Sequence, residues 1–308
     1  MSWREIKNSM AFKRIKRVGL STFYAAIAAA ITWVCVYTVP GQNLDALAHT
    51  ASKAAKGALL RIDTYLLDLV SIPIVAGVMA IAAAVALIRK RWALAARAIL
   101  LVVGANVTTQ ALKHYILQRP DLGVDIATVN SLPSGHTTAA AAAAAALIMV
   151  VPHSWRTAAT WLGTILTTLM GASVLANGWH RLSDVLVAIL VVATWTLALA
   201  PYEKRRRRAK RATAPKDSST HSAGRAGANG AQTVLAALGL VSLAAGALAL
   251  GSVILEVRNL TSWAIPMTPA DLDAWILDGT GIGLAWGTWL LTFGLTALIM
   301  RMLDGLAS

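Results

Sequence analysis

The sequence predicts an all-α protein that crosses a membrane several times. Hydrophobic residues make up 57% of its 308 positions and charged residues only 14%, a composition outside the range of ordinary soluble domains. Eight segments hold about 20 mostly apolar residues each, the length that a helix needs to cross a bilayer. Lys and Arg residues gather between alternate segments, as they do in polytopic proteins. The expected fold is therefore a polytopic membrane helix bundle.

The predicted spans give the order of the helices along the chain. They run approximately over residues 18–39, 66–88, 93–115, 135–152, 156–177, 183–202, 232–255 and 280–300. The first span follows the basic stretch KRIKR. Its apolar run is longer than that of a signal peptide and no small-residue cleavage site follows it. We interpret it as a retained membrane anchor.

Basic residues set the expected orientation. With these spans, 21 of the 28 Lys and Arg residues fall on the side of the N-terminus and 7 on the other side. Because basic segments stay in the cytoplasm, both termini are expected there. The net charge of +14 comes from residues that flank apolar runs, so we expect membrane lipid and no nucleic acid as a partner. The expected location is a bacterial plasma membrane.

A basic segment divides the chain into two unequal parts. Residues 203–231 are rich in Lys, Arg, Ser, Gly and Ala, and we expect a disordered cytoplasmic linker that sets topology and touches anionic lipid; a site for a specific partner is the alternative. Residues 1–202 would form a six-helix core and residues 232–308 a two-helix C-terminal segment. Two outer segments, 44–69 and 268–276, are predicted to be helices along the membrane interface without recognisable chemistry.

Polar residues converge on the outer side of this arrangement. Lys113 and Arg119 lie where the third span ends, the sequence PSGH opens the fourth, and GWHRLSD connects the fifth to the sixth. An arginine fork fits the oxygens of a phosphate. Ser134 and Gly135 begin a helix, and the free N–H groups at a helix start favour an anion.

Two histidines and a carboxylate add reactive groups to these anion-binding residues. His136 and His180 are able to take and give protons near neutrality. Asp184 lies one helical turn after His180 and is placed to bond one imidazole nitrogen, so that the other faces a substrate as a nucleophile. The set suits phosphoryl transfer. His180 and Asp184 could also be metal ligands, but no third ligand has convincing spacing, so we expect no metal.

These motifs resemble the type 2 phosphatidic acid phosphatase family over about residues 60–202. The most specific part is PSGH followed after 44 residues by HRLSD. The resemblance implies a six-helix phosphatase core that uses neither metal nor cofactor and forms a phosphohistidine. It implies that His180 is the nucleophile, that Asp184 orients it and that His136 protonates the leaving oxygen. The residues implied in binding the phosphoryl oxygens are Lys113, Arg119, Ser134 and Gly135.

Two departures from the family pattern affect the phosphate-binding residues. Only five residues separate Lys113 from Arg119, one fewer than usual, and one residue is about 100° of helix. The family's Ser-Arg pair is matched here by Ser173 and Val174, so one phosphate-binding arginine is absent. Arg181 is the candidate substitute; the alternative is that it pairs with an acid or a lipid headgroup.

The function expected from these observations is hydrolysis of a lipid phosphate or diphosphate at the extracytoplasmic surface. Polyprenyl diphosphate is the first substrate suggested, by analogy with the family alone. A lipid phosphotransferase with the same site is an alternative, because acceptor choice depends on pocket shape. A non-catalytic lipid-binding protein or a transporter is the alternative of another class. The sequence leaves the oligomeric state open.

Overall fold

Helices joined by short loops and turns make up the residues that the structure, a computed structural model, describes: 3–55, 72–124, 129–200, 219–260, 265–277 and 280–307. The first five helices are α1 (Trp3–Tyr37), α2 (Val39–Ala54), α3 (Ile72–Ile88), α4 (Trp92–Ala111) and α5 (Gly135–Val150). A π-helical turn, Leu112–Ile116, continues α4. The remaining helices are α6 (His153–Ala176), α7 (Leu182–Leu199), α8 (Ser219–Leu260), α9 (Pro269–Leu277) and α10 (Thr280–Ala307).

Long apolar helices confirm the predicted all-α membrane bundle. Six stretches in the described part of the chain are long and apolar enough to cross a membrane: Arg14–Tyr37, Trp92–Ile116, His153–Ala176, Leu182–Leu199, Gly227–Leu255 and Gly281–Leu306. Each overlaps a predicted span. Helix α5 matches a seventh span but has only 16 residues. Helix α3 matches the eighth from residue 72 onward, and the start of that span lies outside the described residues.

The alanine-rich helix α5 lies at the centre of the bundle, against α3, α4, α6 and α7. Ala140 to Ala146 are all buried. Small side chains let neighbouring helices come close, because backbone approach is limited by the atoms between them. A Cβ added to Gly163 of α6 would lie 2.8 Å from the Cβ of Ala144. The segment that was predicted as the fourth membrane span therefore forms the packed centre of the bundle.

The bundle has two chemically different ends. At one, called the basic end, Arg17 donates to the carbonyl of Ala200 (2.9 Å) and Arg89 to the carbonyl of Val150 (2.8 Å). The other, called the polar end, holds the last residues of α1, α4 and α6 and the first residues of α5 and α7. Helices that alternate in direction bring the motif residues together at the polar end.

Helix α2 corrects one prediction about the outer segments. Residues 44–69 were expected along the membrane interface, whereas α2 is buried through Asp45, Ala46, Leu47 and Ser52, between α1, α9 and α10. Burial results because polar side chains of α2 find partners inside the bundle: Gln42 donates to the carbonyl of Pro120 (3.1 Å). Residues 56–69 lie outside the described residues. The prediction of a surface helix is wrong for residues 44–54.

The two C-terminal spans pack tightly against each other and then onto the core. Four glycines at their crossing are spaced seven residues apart on each helix: Gly239 and Gly246 on α8, and Gly287 and Gly294 on α10. Helix α10 continues the packing onto α6 and α2. Helix α8 begins at Ser219, inside the segment predicted as a linker over 203–231, and residues 201–218 lie outside the described residues. The proposed division into three regions stays a prediction.

The glycine crossing predicts a position-specific loss of stability. A Cβ on Gly246 would lie 2.7 Å from the carbonyl oxygen of Gly287, so Gly246→Ala forces α8 and α10 apart. Overpacking of this kind costs about 1–3 kcal/mol. Gly251→Ala is the matched control: among the described residues, no atom outside the backbone of α8 itself lies within 4 Å of a Cβ at Gly251, and alanine there is a better helix former. Thermal unfolding in detergent should show a lower midpoint for Gly246→Ala alone; equal midpoints would contradict the packing.

Candidate active site

The first turn of α7 is organised around one carboxylate oxygen. Oδ2 of Asp184 accepts from Nδ1 of His180 (3.0 Å), from the backbone N–H of Arg181 (2.9 Å) and from Oγ of Ser131 (2.6 Å). Asp184 is 1% exposed and His180 is 6% exposed. Hydrogen bonds to a buried charged oxygen are stronger than ordinary ones and fix the groups that make them. The imidazole of His180 is therefore held through Nδ1, which leaves Nε2 for a substrate.

The start of α5 provides an anion-binding group beside this carboxylate. Ser134 is the N-cap: its Oγ accepts from the N–H of Thr137 (3.4 Å), and its own N–H donates to the carbonyl of Asp184 (3.0 Å). Ser134 is fully buried, so it positions the helix start more directly than it contacts a ligand. The N–H groups of Gly135 and His136 remain at the first turn, where the helix dipole favours negative charge.

Two guanidinium groups lie near each other, that of Arg181 buried and that of Arg119 partly exposed. Arg181 is 4% exposed and donates from Nη1 to Ser131 (2.8 Å). Burial, together with the neighbouring charge of Arg181, lowers the pKa of Arg119 from its ordinary value. Nη2 of Arg119 is buried without a hydrogen-bond partner among the described residues. Because arginine keeps its charge in proteins, two guanidinium groups side by side favour the binding of an anion.

Lys113 and His136 lie at the exposed edge of the site. Lys113 is part of the π-helical turn, which is closed by the N–H of Leu117 donating to the carbonyl of Leu112 (2.9 Å). Such wide turns change the rotation per residue and are frequent at functional sites. Lys113 lies close enough to His136 for their charges to interact, despite the short spacing to Arg119. The ring of His136 lies 5.8 Å from that of Trp179, centroid to centroid.

Val174, which stands where the resemblance predicts an arginine, is part of the apolar core. Val174 is fully buried in the hydrophobic cluster of the bundle. Its carbonyl oxygen accepts from the N–H groups of Trp179 (3.0 Å) and His180 (3.3 Å). Val174 therefore shapes the turn before the histidine through its backbone and supplies no charge.

The structure brings all the sequence-predicted residues to the polar end and adds two, Asp45 and Ser131, that the sequence did not indicate. Asp45 of α2 accepts from both the N–H and the hydroxyl of Ser183. Ser131 bridges Arg181 to Asp184. Neither residue belongs to a recognisable spacing pattern, and Asp45 is far from the motifs in the chain. An acidic residue on the apolar side of a helix was the only signal that could have identified it.

Two possible metal ligands, His180 and Asp184, lie next to each other in the site. Within the described residues, no three His, Cys, Asp or Glu side chains are grouped as ligands for an ion. Asp184 instead binds His180 and Ser131. Whether the chemistry is independent of metal stays a prediction.

Comparison with known proteins points to one family. The model of the family described as the PAP2 superfamily matches residues 94–208. This segment contains every motif residue named in the sequence analysis and excludes α1, α2 and the C-terminal pair. Neither a curated protein nor a solved structure matches the sequence.

Asp45 predicts a pH-dependent difference in stability. Burial and the nearby Asp184 raise the pKa of Asp45 from 3.8 to about 6, although hydrogen bonds from Ser183 and the charge of Arg119 act in the opposite direction. The thiol of Cys35 is a further titratable group close to Asp45. The folded protein thus holds this proton more tightly than the unfolded chain does. The tighter binding of this proton stabilises the folded protein by an amount on the order of 3 kcal/mol. This stabilisation is fully present below about pH 4 and is lost as the pH rises through about 6.

Asp45→Asn removes that titration while keeping the shape of the side chain. The melting temperature of the wild type minus that of Asp45→Asn should fall between pH 4.5 and 7.5, as measured by thermal unfolding in detergent. A difference that does not change with pH would show that Asp45 does not titrate in this range.

Proposed function

We propose that the chain removes phosphate from a lipid phosphate or diphosphate through a phosphohistidine. The basis is that residues 94–208 belong to the PAP2 superfamily, whose members are generally phosphatases. One observation carries the proposal. Two guanidinium groups, that of the buried Arg181 and that of the partly exposed Arg119, and the start of α5 meet beside a histidine that a buried carboxylate holds. This arrangement favours an anion with several oxygens next to a nucleophile.

The residues divide the reaction into two steps. Nε2 of His180 attacks phosphorus, a P–N bond forms, and the bond from phosphorus to the lipid oxygen breaks. His136 gives its proton to that oxygen. In the second step His136 takes a proton from water, the water oxygen attacks phosphorus, and the P–N bond breaks to release phosphate and His180. Asp184 holds Nδ1 of His180 throughout and stabilises the positive charge that develops on the ring.

The phosphate-binding roles follow from charge and position. Arg119, Arg181 and Lys113 neutralise the phosphoryl oxygens, and the N–H groups of Gly135 and His136 donate to them. Ser134 holds the start of α5 against Asp184 and so sets the direction of those N–H groups. Arg181 takes the place of the charge that the family supplies at Val174. Its contact with Ser131 fixes the guanidinium within reach of the phosphate.

A lipid substrate fits the location of the site. The reactive residues lie at the ends of apolar helices, so a phosphate group at the membrane surface would reach them while its hydrocarbon chain stays in the bilayer. His136 and Trp179 form an exposed edge on which such a lipid could enter. Diphosphates of polyprenyl lipids are the first substrates to test.

The polar end is proposed to face away from the cytoplasm. The basic residues gathered at the opposite end support this orientation. Cysteine labelling of intact cells tests it in a Cys35→Ala background. Asp121→Cys and Ile265→Cys, at exposed positions of the polar end, should react with a membrane-impermeant reagent, and Thr220→Cys should not. The reverse pattern would place the site in the cytoplasm.

Release of inorganic phosphate by the purified protein tests the proposed reaction. The panel contains phosphatidic acid, a polyprenyl phosphate, a polyprenyl diphosphate and glucose 6-phosphate as a substrate without a lipid chain. We expect release from at least one lipid and not from the sugar phosphate. Activity should persist in EDTA, because cations of the chain and a helix start can neutralise the phosphate. Loss in EDTA with recovery on adding a divalent ion would overturn the metal-independent scheme.

Arg181→Ala tests whether this residue replaces the absent family arginine. Removing a preorganised charge from a developing phosphoryl transition state costs about 10²–10³ in rate, so kcat should fall by that factor. Arg181→Lys should recover only part of the loss, because an ammonium lacks the planar fork. Arg156→Ala is the control, since Arg156 is also a buried arginine of the bundle but belongs to the basic end. Wild-type turnover in Arg181→Ala would assign phosphate binding to Arg119 and Lys113 alone.

A further inference from the structure

The residue at the start of helix α7 has no side-chain acceptor for the N–H groups of the first turn. The first N–H groups of a helix need acceptors from outside, usually an oxygen of the N-cap side chain. The N-cap of α7 is Arg181, whose guanidinium has donors and no acceptor. The Ser, Thr, Asp or Asn that would ordinarily occupy this position is therefore missing at the helix that carries Asp184.

A carboxylate from α2 supplies the missing acceptor. Oδ1 of Asp45 accepts from the N–H of Ser183 (3.1 Å), the second residue of α7, and the hydroxyl of Ser183 donates to Oδ2 of the same carboxylate. Asp45 is 3% exposed and Ser183 is 2% exposed. Because the bonds are buried, water does not replace them when they are lost.

Helix α2, which carries Asp45, is held in place by other residues outside the family match. The next helix turn carries His49, whose Nδ1 lies 3.4 Å from the carbonyl oxygen of His180. Asn43 donates to the carbonyl of Ile265 (2.9 Å) and accepts from the N–H of Met267 (3.0 Å). Ser52 of α2 and Thr288 of α10 share a hydrogen bond of 3.2 Å. Helix α2 is thus fixed between the C-terminal helices and the first turn of α7.

We propose that Asp45 is a positioning residue of the phosphoryl-transfer site, which caps α7 from another helix so that the N-cap position is free for the phosphate-binding Arg181. The inference rests on the proposed function for the role of Arg181. Asp45 acts through Ser183 and touches no reacting atom. Its loss lets the first turn of α7 move, and with it Asp184 and the orientation of His180. Misplacement of reacting groups by about 1 Å costs about 10²-fold in rate.

The experiment compares three substitutions of Asp45 by activity and by hydrogen exchange. Asp45→Ala removes the acceptor, and Asp45→Leu removes it while filling the space. Asp45→Asn keeps an oxygen that accepts from the N–H of Ser183. Phosphate release from the best lipid substrate gives kcat and KM, and hydrogen–deuterium exchange followed by mass spectrometry reports the amides of the first turn of α7 in the full chain.

The expected result is a separation of the three variants. Asp45→Ala and Asp45→Leu should lower kcat about 10- to 100-fold, with KM changed less than about threefold, and should speed exchange at the first turn of α7. Asp45→Asn should keep kcat and exchange near those of the wild type. Asp271→Ala is the matched control: Asp271 also accepts from a backbone N–H, that of Thr268 (2.9 Å), but at the exposed start of α9. It should change neither quantity.

Other outcomes decide against the proposal. Unchanged exchange at α7 in Asp45→Leu, or full kcat in folded Asp45→Ala, would show that Asp45 does not position the helix. An equal loss in Asp45→Asn would assign the effect to charge instead of to capping. If the wild type releases phosphate from no substrate, the proposed function fails, and the exchange comparison still tests whether Asp45 caps α7.

Discussion

The polar end depends on the need to satisfy one buried carboxylate. Three donors from two segments of the chain bind Oδ2 of Asp184, and the backbone carbonyl of the same residue holds the start of α5. A buried polar group that loses its partner costs about 1–3 kcal/mol. The carboxylate therefore forces α5, α7 and the loop before α5 into one arrangement. That arrangement also holds the imidazole and the helix start that the proposed reaction needs.

Segments outside the family match contact this arrangement. Helix α2 reaches Pro120, His180 and Ser183 on one side and the C-terminal helices on the other. A buried acid next to Asp184 is unfavourable by itself, and the guanidinium of Arg119 offsets part of that cost. The two C-terminal helices thus contribute to the polar end indirectly, by keeping a polar helix buried where it would otherwise be solvated.

The sequence predicted the helices and the converging motifs but not the network that joins them. Spans could be predicted because apolar length is a local property. The contact of His180 with Asp184 could be predicted from a four-residue spacing, although His180 precedes the N-cap of α7 and the spacing is therefore not a helical turn. Asp45 and Ser131 could not, since their partners lie 138 and 53 residues away and no pattern marks them. Helix α2 was predicted at the interface because its moderate polarity resembles that of a surface helix, whereas its polar groups have partners inside the bundle.

The eight consecutive alanines of α5 have a consequence for how this helix keeps its depth in the bundle. Identical small side chains present nearly the same surface after a shift by one residue, so apolar packing gives little resistance to screw-like sliding. The polar contacts at the helix start do resist it: Ser134 bonds to Asp184, and Thr138 shares a hydrogen bond of 2.9 Å with Thr109 of α4. The alanine-rich centre of α5 therefore does little to fix the position of the helix along its axis. The polar contacts at its first turn fix that position, at the same end that carries the reactive residues.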